Sequence, residues 1–100
     1  MHRAREKLTL ETAEGIAVQG LAFLAEEPAR LLNFLALTGL TPDEVRAQAH
    51  APGFLAAVLE HLASDESLLL VFAASTSVAP ETLGPALTLL QQACRGSPHS

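Results

Sequence analysis

Four histidines and one cysteine are the residues of this 100-residue sequence that most readily support a metal site or acid–base chemistry. His2 and His99 lie near the ends of the chain, whereas His50 and His61 are eleven positions apart and fall on different predicted helices. Zinc sites are built from His and Cys ligands, typically in closely spaced pairs. The sequence contains no such pair, so we expect no metal and no other cofactor to be bound.

Two short segments contain residue types that are used in catalysis. Glu60 and His61 are adjacent and could transfer protons, but the sequence provides neither a recognisable nucleophile motif nor a glycine-rich phosphate loop. The segment Asp65-Glu66-Ser67-Leu68 is similar to the phosphopantetheine attachment site of acyl carrier proteins, in which Asp directly precedes Ser; here Glu66 intervenes. We therefore predict that the protein is not an enzyme.

Charge is unevenly distributed along the chain. The formal net charge is −5, yet three of the six basic residues stand at positions 3, 5 and 7. From Leu8 to Cys94, two arginines are set against ten acidic residues. Because nucleic acids and anionic lipid surfaces are bound through Lys and Arg, we expect neither as a partner. Residues 1–8 are interpreted as a disordered basic tail.

Cysteine usage and the lengths of the apolar runs indicate a cytoplasmic protein. A single cysteine, Cys94, cannot form an internal disulfide, which suits a reducing compartment. It falls on the apolar face of the last predicted helix, so we expect a buried, unreactive thiol. The N-terminal segment has no apolar stretch typical of a secretory signal. The longest apolar run, Leu68–Ala74, is seven residues, against roughly 18 for a membrane span.

The composition favours helices throughout. Nineteen Leu and eighteen Ala are present against five Val and one Ile. Leu and Ala favour helices, whereas strands favour β-branched and aromatic residues. We predict an all-α fold with one domain at residues 9–94, a compact bundle of five or six helices, and a second disordered tail at residues 95–100. The run Leu68–Phe72 is apolar on every side, so we expect it at the centre of the bundle.

Capping residues and prolines mark the predicted helix boundaries. The helices are predicted at about 9–26, 28–38 and 42–50, and then from Pro52, from an N-cap at Ser64 and from Pro80 onwards. Gly39 ends the second helix in the left-handed conformation, and Thr41 with Glu44 forms a capping box. This corner is similar to the turn of helix-turn-helix DNA readers. However, the following helix begins with two carboxylates, which DNA phosphates would repel.

The sequence resembles itself when it is shifted by 38 residues. Residues 18–45 aligned on residues 56–83 give nine identities in 28 pairs, among them Phe34 with Phe72 and Pro42 with Pro80. The match indicates a pseudo-symmetric bundle made by duplication of a helical unit. The high Leu and Ala content also raises the number of chance matches, so a coincidental repeat is the alternative.

The first predicted helix has apolar residues on two sides. Gly20 lies on the main apolar stripe and is expected where another helix approaches closely. Ile16 and Phe23 lie on nearly the opposite side, which must be covered by the chain's own end or by another subunit. We therefore predict a non-enzymatic protein–protein interaction module, which could be a homodimer. Its candidate interaction surface is formed by Ile16, Gln19, Phe23, Glu26 and Glu27. The alternative is a carrier or binder of an apolar small molecule or acyl chain.

Several motifs resemble those of a known protein family. They are Leu21-Ala22-Phe23-Leu24-Ala25-Glu26-Glu27-Pro28, Arg30-Leu31, Phe34-Leu35 and Thr38-Gly39-Leu40-Thr41-Pro42, followed by Phe54-Leu55 and Asp65-Glu66. On these residues the chain resembles a family of small, uncharacterised proteobacterial proteins of about this length, defined as a domain of unknown function. The resemblance covers about residues 11–90. It implies a single all-helical domain in the bacterial cytoplasm, and it supplies no catalytic or binding residues.

Overall fold

The computed structural model describes residues 8–95, and every regular element in this range is a helix. The elements in chain order are α1 (Leu10–Ala25), α2 (Pro28–Thr38), α3 (Pro42–Gln48), α4 (Pro52–Ala63), α5 (Glu66–Thr76), a single 3-10 turn (Pro80–Thr82) and α6 (Leu83–Arg95). The predicted all-α bundle is confirmed. The predicted tails lie outside the described residues, except for Leu8, which packs against the core, and Arg95, the last residue of α6.

Local interactions explain the start of α1, the end of α2 and the start of α3. The Thr12 amide donates to Thr9 Oγ1 at 3.1 Å, so Thr9 caps α1 as predicted. Thr41 and Glu44 form the predicted capping box of α3. Gly39 ends α2 with φ 76°, in the left-handed region where a side chain is disfavoured. The α2–α3 corner is therefore encoded by local sequence.

Two predicted helix starts are wrong by one or three residues. Asp65, not Ser64, caps α5, and its Oδ1 accepts from the Leu68 amide at 3.2 Å. The Ser64 hydroxyl instead donates to the His61 carbonyl at 2.8 Å, where it closes the end of α4. Pro80 opens the 3-10 turn, and α6 begins at Leu83.

The hydrophobic core lies where α1, α4 and α6 pack together. α4 contributes six of the buried side chains, one more than α1, and it contacts α1, α5 and α6. A Cβ atom on Gly20 would lie 2.8 Å from Leu62 Cδ1 and 3.1 Å from Val58 Cγ1. The close approach predicted at Gly20 is therefore confirmed, and α4 is the helix that makes it.

The expectation that Leu68–Phe72 forms the centre of the bundle is wrong. Within α5 only Phe72 is buried, while Leu70 and Val71 are exposed. The central position belongs to α4, and α5 packs on the outside of it. An apolar helix can be central or can dock through one side and leave the other side exposed, so apolarity alone did not distinguish these arrangements.

The 38-residue repeat extends to local conformation. α2 and α5 are both 11 residues long and occupy equivalent positions. Each buries one phenylalanine, Phe34 or Phe72, and each ends in the left-handed region. The hydroxyls of Thr38 and Thr76 donate to the carbonyls of Phe34 and Phe72 at 2.9 and 2.8 Å. The two segments thus share their length, anchor and termination.

Candidate functional site

Two members of the predicted interaction surface belong to the hydrophobic core. Ile16 and Phe23 are buried. The Phe23 ring packs edge-on against Phe72 of α5 with centroids 5.4 Å apart, and the Arg30 guanidinium carbon of α2 lies 4.2 Å from its centroid. The second apolar side of α1 is therefore covered by the chain itself, and the expectation of exposed apolar surface at Ile16 and Phe23 is wrong.

The three polar members of that surface remain accessible. Gln19, Glu26 and Glu27 are exposed, with Glu26 at the end of α1 and Glu27 at the N-cap of α2. A carboxylate at a helix N-terminus interacts favourably with the helix dipole. The structure therefore separates the predicted surface into a buried apolar part and an exposed, largely acidic part.

The large apolar side chains that do reach the surface lie mainly on α2 and α5. The exposed fractions are 65% for Leu32 and 69% for Leu37 on α2, and 52% for Leu70 and 44% for Val71 on α5. We refer to these four side chains as the outer apolar residues. Leu32 and Leu70 are 38 positions apart, and each precedes the buried phenylalanine by two residues, which places it on the opposite side of its helix. The self-alignment pairs these leucines, and Leu70 belongs to the run that was expected at the centre of the bundle.

His61 is the histidine that the fold places in an unusual environment. Its ring packs edge-on against Phe34, with centroids 5.1 Å apart, and its Nε2 atom is buried without a hydrogen-bond partner in the described structure. Burial lowers the pKa of His61 below its ordinary value of 6.5, while the nearby Asp65 carboxylate partly opposes this shift. Burial thus favours the neutral form of the imidazole.

The surroundings of His61 provide no aligned nucleophile among the residues described. A pocket of about 290 Å³ beside it is lined by Leu37, Thr38, Ala57, Glu60, His61 and Ser64. The Thr38 hydroxyl donates to the Phe34 carbonyl, and the Ser64 hydroxyl donates to the His61 carbonyl. Both hydroxyls therefore take part in helix termination, and neither is hydrogen-bonded to the imidazole.

Cys94 is exposed, so the expectation of a buried thiol is wrong. A Cβ atom on Gly53 of α4 would lie 3.3 Å from Cys94 Sγ. Because Gly53 has no side chain, the thiol rests against bare backbone at the rim of the bundle.

An apolar pocket lies between α2 and α3. It has a volume of about 130 Å³ and is lined by Leu31, Leu35, Pro42, Val45 and Arg46. Pockets that hold organic ligands typically measure roughly 300–1,000 Å³. This pocket is too small for a long acyl chain, although it could accept one branched side chain.

Comparison with protein families identifies the domain. The family model described as "Protein of unknown function (DUF3572)" matches residues 10–93, from the first residue of α1 almost to the end of α6. The chain belongs to the DUF3572 family. The match spans every helix of this DUF3572 domain and confirms the resemblance to a family of unknown function. Neither the curated proteins nor the solved structures contain a match to it.

Two further properties of the DUF3572 domain concern metals and membranes. In residues 8–95, no group of three or more His, Cys, Asp or Glu side chains is placed to hold a metal ion. Over the same range, no single helix is long and apolar enough to cross a membrane. The segments Glu66–Thr76 and Pro80–Arg95 reach that length only together, and they meet at a bend of 110°.

Proposed function

We propose that this DUF3572 domain is a non-enzymatic protein–protein interaction module that binds a basic, partly apolar segment of a partner protein. The proposal rests on the exposed position of the outer apolar residues. Exposed apolar surface of this kind is typical of interaction sites. Leu32 and Leu70 occupy equivalent positions in the repeat, are more than half exposed, and contribute little to the core.

Charge supports a basic partner. Glu26 and Glu27 lie at the start of α2, and Asp65 and Glu66 lie at the start of α5, all of them exposed. Glu66 and Leu70 are four residues apart and therefore share one side of α5. Lys or Arg side chains that flank apolar residues in a partner would complement this surface. A second copy of the chain would instead bring like charges together, since ten acids face two arginines between residues 8 and 94.

We also propose a bacterial cytoplasmic setting and the absence of catalysis. The resemblance to the proteobacterial family supports the first, together with a lone cysteine that has no internal partner. The use of the Thr38 and Ser64 hydroxyls in backbone hydrogen bonds supports the second. Binding of an apolar small molecule has weaker support, because the α2–α3 pocket is smaller than typical ligand pockets.

Site-specific photocrosslinking in bacterial cells tests the interaction surface. A benzophenone amino acid replaces Leu32 or Leu70 in the full chain, and the matched control positions are Gln48 and Gln92, which are exposed on α3 and α6. We expect positions 32 and 70 each to crosslink to a partner segment that carries Lys or Arg, and positions 48 and 92 to give much less product. Crosslinks that are no stronger than at the control positions, or a partner segment without basic residues, would contradict the proposal.

A second measurement distinguishes a partner from a second copy. The mass of the wild-type chain in solution is compared with L32E/L70E and with Q48E/Q92E, which adds the same charge elsewhere. We expect a folded monomer in all three cases. With the benzophenone amino acid at position 37 of each chain, we expect the partner crosslink to be lost in L32E/L70E alone. A dimeric wild type that L32E/L70E converts to a monomer would replace the basic partner with a homodimer.

A further inference from the structure

The buried phenylalanines of α2 and α5 share one equivalent ring contact, but the partner ring differs between them. Phe34 is the buried side chain of α2, and it packs against His61 of α4 and against Phe54 at 6.0 Å between centroids. Phe72 anchors α5 and packs against Phe23 of α1. Phe23 and His61 are 38 residues apart and therefore occupy equivalent positions in the repeat. Phe72 contacts the benzene ring of Phe23, whereas Phe34 contacts the ionisable ring of His61.

The imidazole of His61 is suited to this position only while it is neutral. Its Nε2 is buried and has no hydrogen-bond partner among the described residues. Protonation would make both ring nitrogens donors and would place a positive charge beside the Phe34 ring, where the buried Nε2 has no acceptor among the described residues. Buried polar atoms without partners are rare in folded proteins, so this one calls for a physical explanation.

We propose that His61 makes the contact between α2 and α4 sensitive to acid, so that protonation of its imidazole releases α2 while α5 stays packed. Each of α2 and α5 has a single fully buried side chain, Phe34 or Phe72. Only Phe34 packs against an ionisable ring, so α2 is the helix suited to open in acid. The proposal does not depend on the binding function, although Leu32 and Leu37 lie on the helix that would move.

Charged groups on three helices influence the protonation of His61. Asp65 at the start of α5 favours the protonated ring, and Glu60 precedes His61 on α4 and lines the same pocket. On α2 the charged side chain is Arg30, whose guanidinium lies over Phe23. The net shift in the pKa of His61 is downward because burial outweighs the influence of Asp65.

The population of the state in which α2 is released, the open state, depends on pH. Its direction of change follows from the pKa of His61 in the open state and in the closed state, in which α2 is packed. In the open state the imidazole is in water and has its ordinary pKa of 6.5, whereas in the closed state its pKa is lower. The open state therefore binds the proton more tightly. Its population rises as the pH falls below about 6.5, by at most about tenfold per pH unit, and levels off below the closed-state pKa.

Hydrogen exchange measured by NMR on the full chain between about pH 7 and pH 5 tests the proposal, with α5 as the internal control. We expect the protection factors of α2 amides, corrected for intrinsic exchange, to fall in acid relative to those of α5. H61F, which installs the residue found at the equivalent position 23, should abolish the difference. H50Q, at an exposed histidine, should leave it unchanged.

D65N provides a second route if H61F does not fold. Asn retains the N-cap of α5 but removes the carboxylate that favours protonation of His61 in the closed state. The closed-state pKa then falls further below 6.5, so the opening of α2 should begin at the same pH as in the wild type but become larger in acid and level off at lower pH. Equal loss of protection in α2 and α5, acid-induced opening in H61F, or an unchanged response in D65N would each overturn the proposal.

Discussion

The two halves of the domain, α1–α2 and α4–α5, contain equivalent helices. The rings of each half pack against rings of the other half. Phe23 of the first half packs against Phe72 of the second, and His61 of the second half packs against Phe34 of the first. The same reciprocal pattern of contacts is found in two-fold symmetric dimers, where residue i contacts j and j contacts i. Neither half therefore completes its core alone, and the domain resembles a dimer fused into one chain.

The contact between α1 and α4 shows where equivalent positions of the repeat differ. Gly20 and Val58 are 38 residues apart, and a Cβ atom on Gly20 would lie 3.1 Å from Val58 Cγ1. Equivalent residues meet only near the axis that relates two halves. Two valines would not fit at this separation, so a glycine on one helix makes room for the side chain of the other.

The largest expected effects test whether the two anchors are equivalent. F34A and F72A each remove a fully buried ring, and each should lower the free energy of unfolding by about 3–5 kcal/mol. L32A and L70A, at exposed positions, should cost less than about 0.5 kcal/mol. Urea unfolding at pH 7 measures all four. A cost for one anchor of less than half that of the other would show that the halves are not equivalent.

Much of this arrangement is encoded locally, and the remainder depends on which surfaces meet. The end of α2 at Gly39 and the capping box of Thr41 and Glu44 follow from residues within one turn, so sequence reasoning predicted them. The position of α5 and the burial of Phe23 depend on contacts between residues about 50 positions apart. An apolar stripe specifies that a side must be covered but not by which element, so Phe23 was wrongly assigned to a surface.

Glycines in α1 offer an intermediate test of the contact between the halves. G20A places a methyl group against Leu62 and Val58, and it should destabilise the fold by about 1–3 kcal/mol. Gly15 lies in the same helix, and a Cβ atom added there would meet no atom within 4 Å. G15A should therefore stabilise the fold by up to about 1 kcal/mol, because alanine is the better helix former. Thermal unfolding distinguishes the signs, and a stabilised G20A would contradict the close approach.

The smallest expected effects compare the ends of α2 and α5. Gly39 has φ 76° and Ser77 has φ 64°, so the same left-handed conformation is occupied by glycine in one half and by serine in the other. A side chain in this region is strained by about 1–2 kcal/mol. A Cβ at position 39 would meet no atom within 4 Å, so the cost of G39A is conformational, and we expect about 1 kcal/mol of destabilisation.

S77G should stabilise the fold by about 0.5–1 kcal/mol, because glycine relieves the backbone strain at this position. The gain is limited because glycine also adds freedom to the unfolded chain. S77A keeps the strained backbone without the hydroxyl and should be close to neutral, which makes it the control for any side-chain contribution. Chemical denaturation at pH 7 resolves differences of this size. If S77G and S77A were equally stabilising, the serine hydroxyl rather than the backbone would distinguish the two helix ends. If G39A instead destabilises the fold and S77G stabilises it, both helix ends require the left-handed backbone conformation, and only the first half has a glycine there.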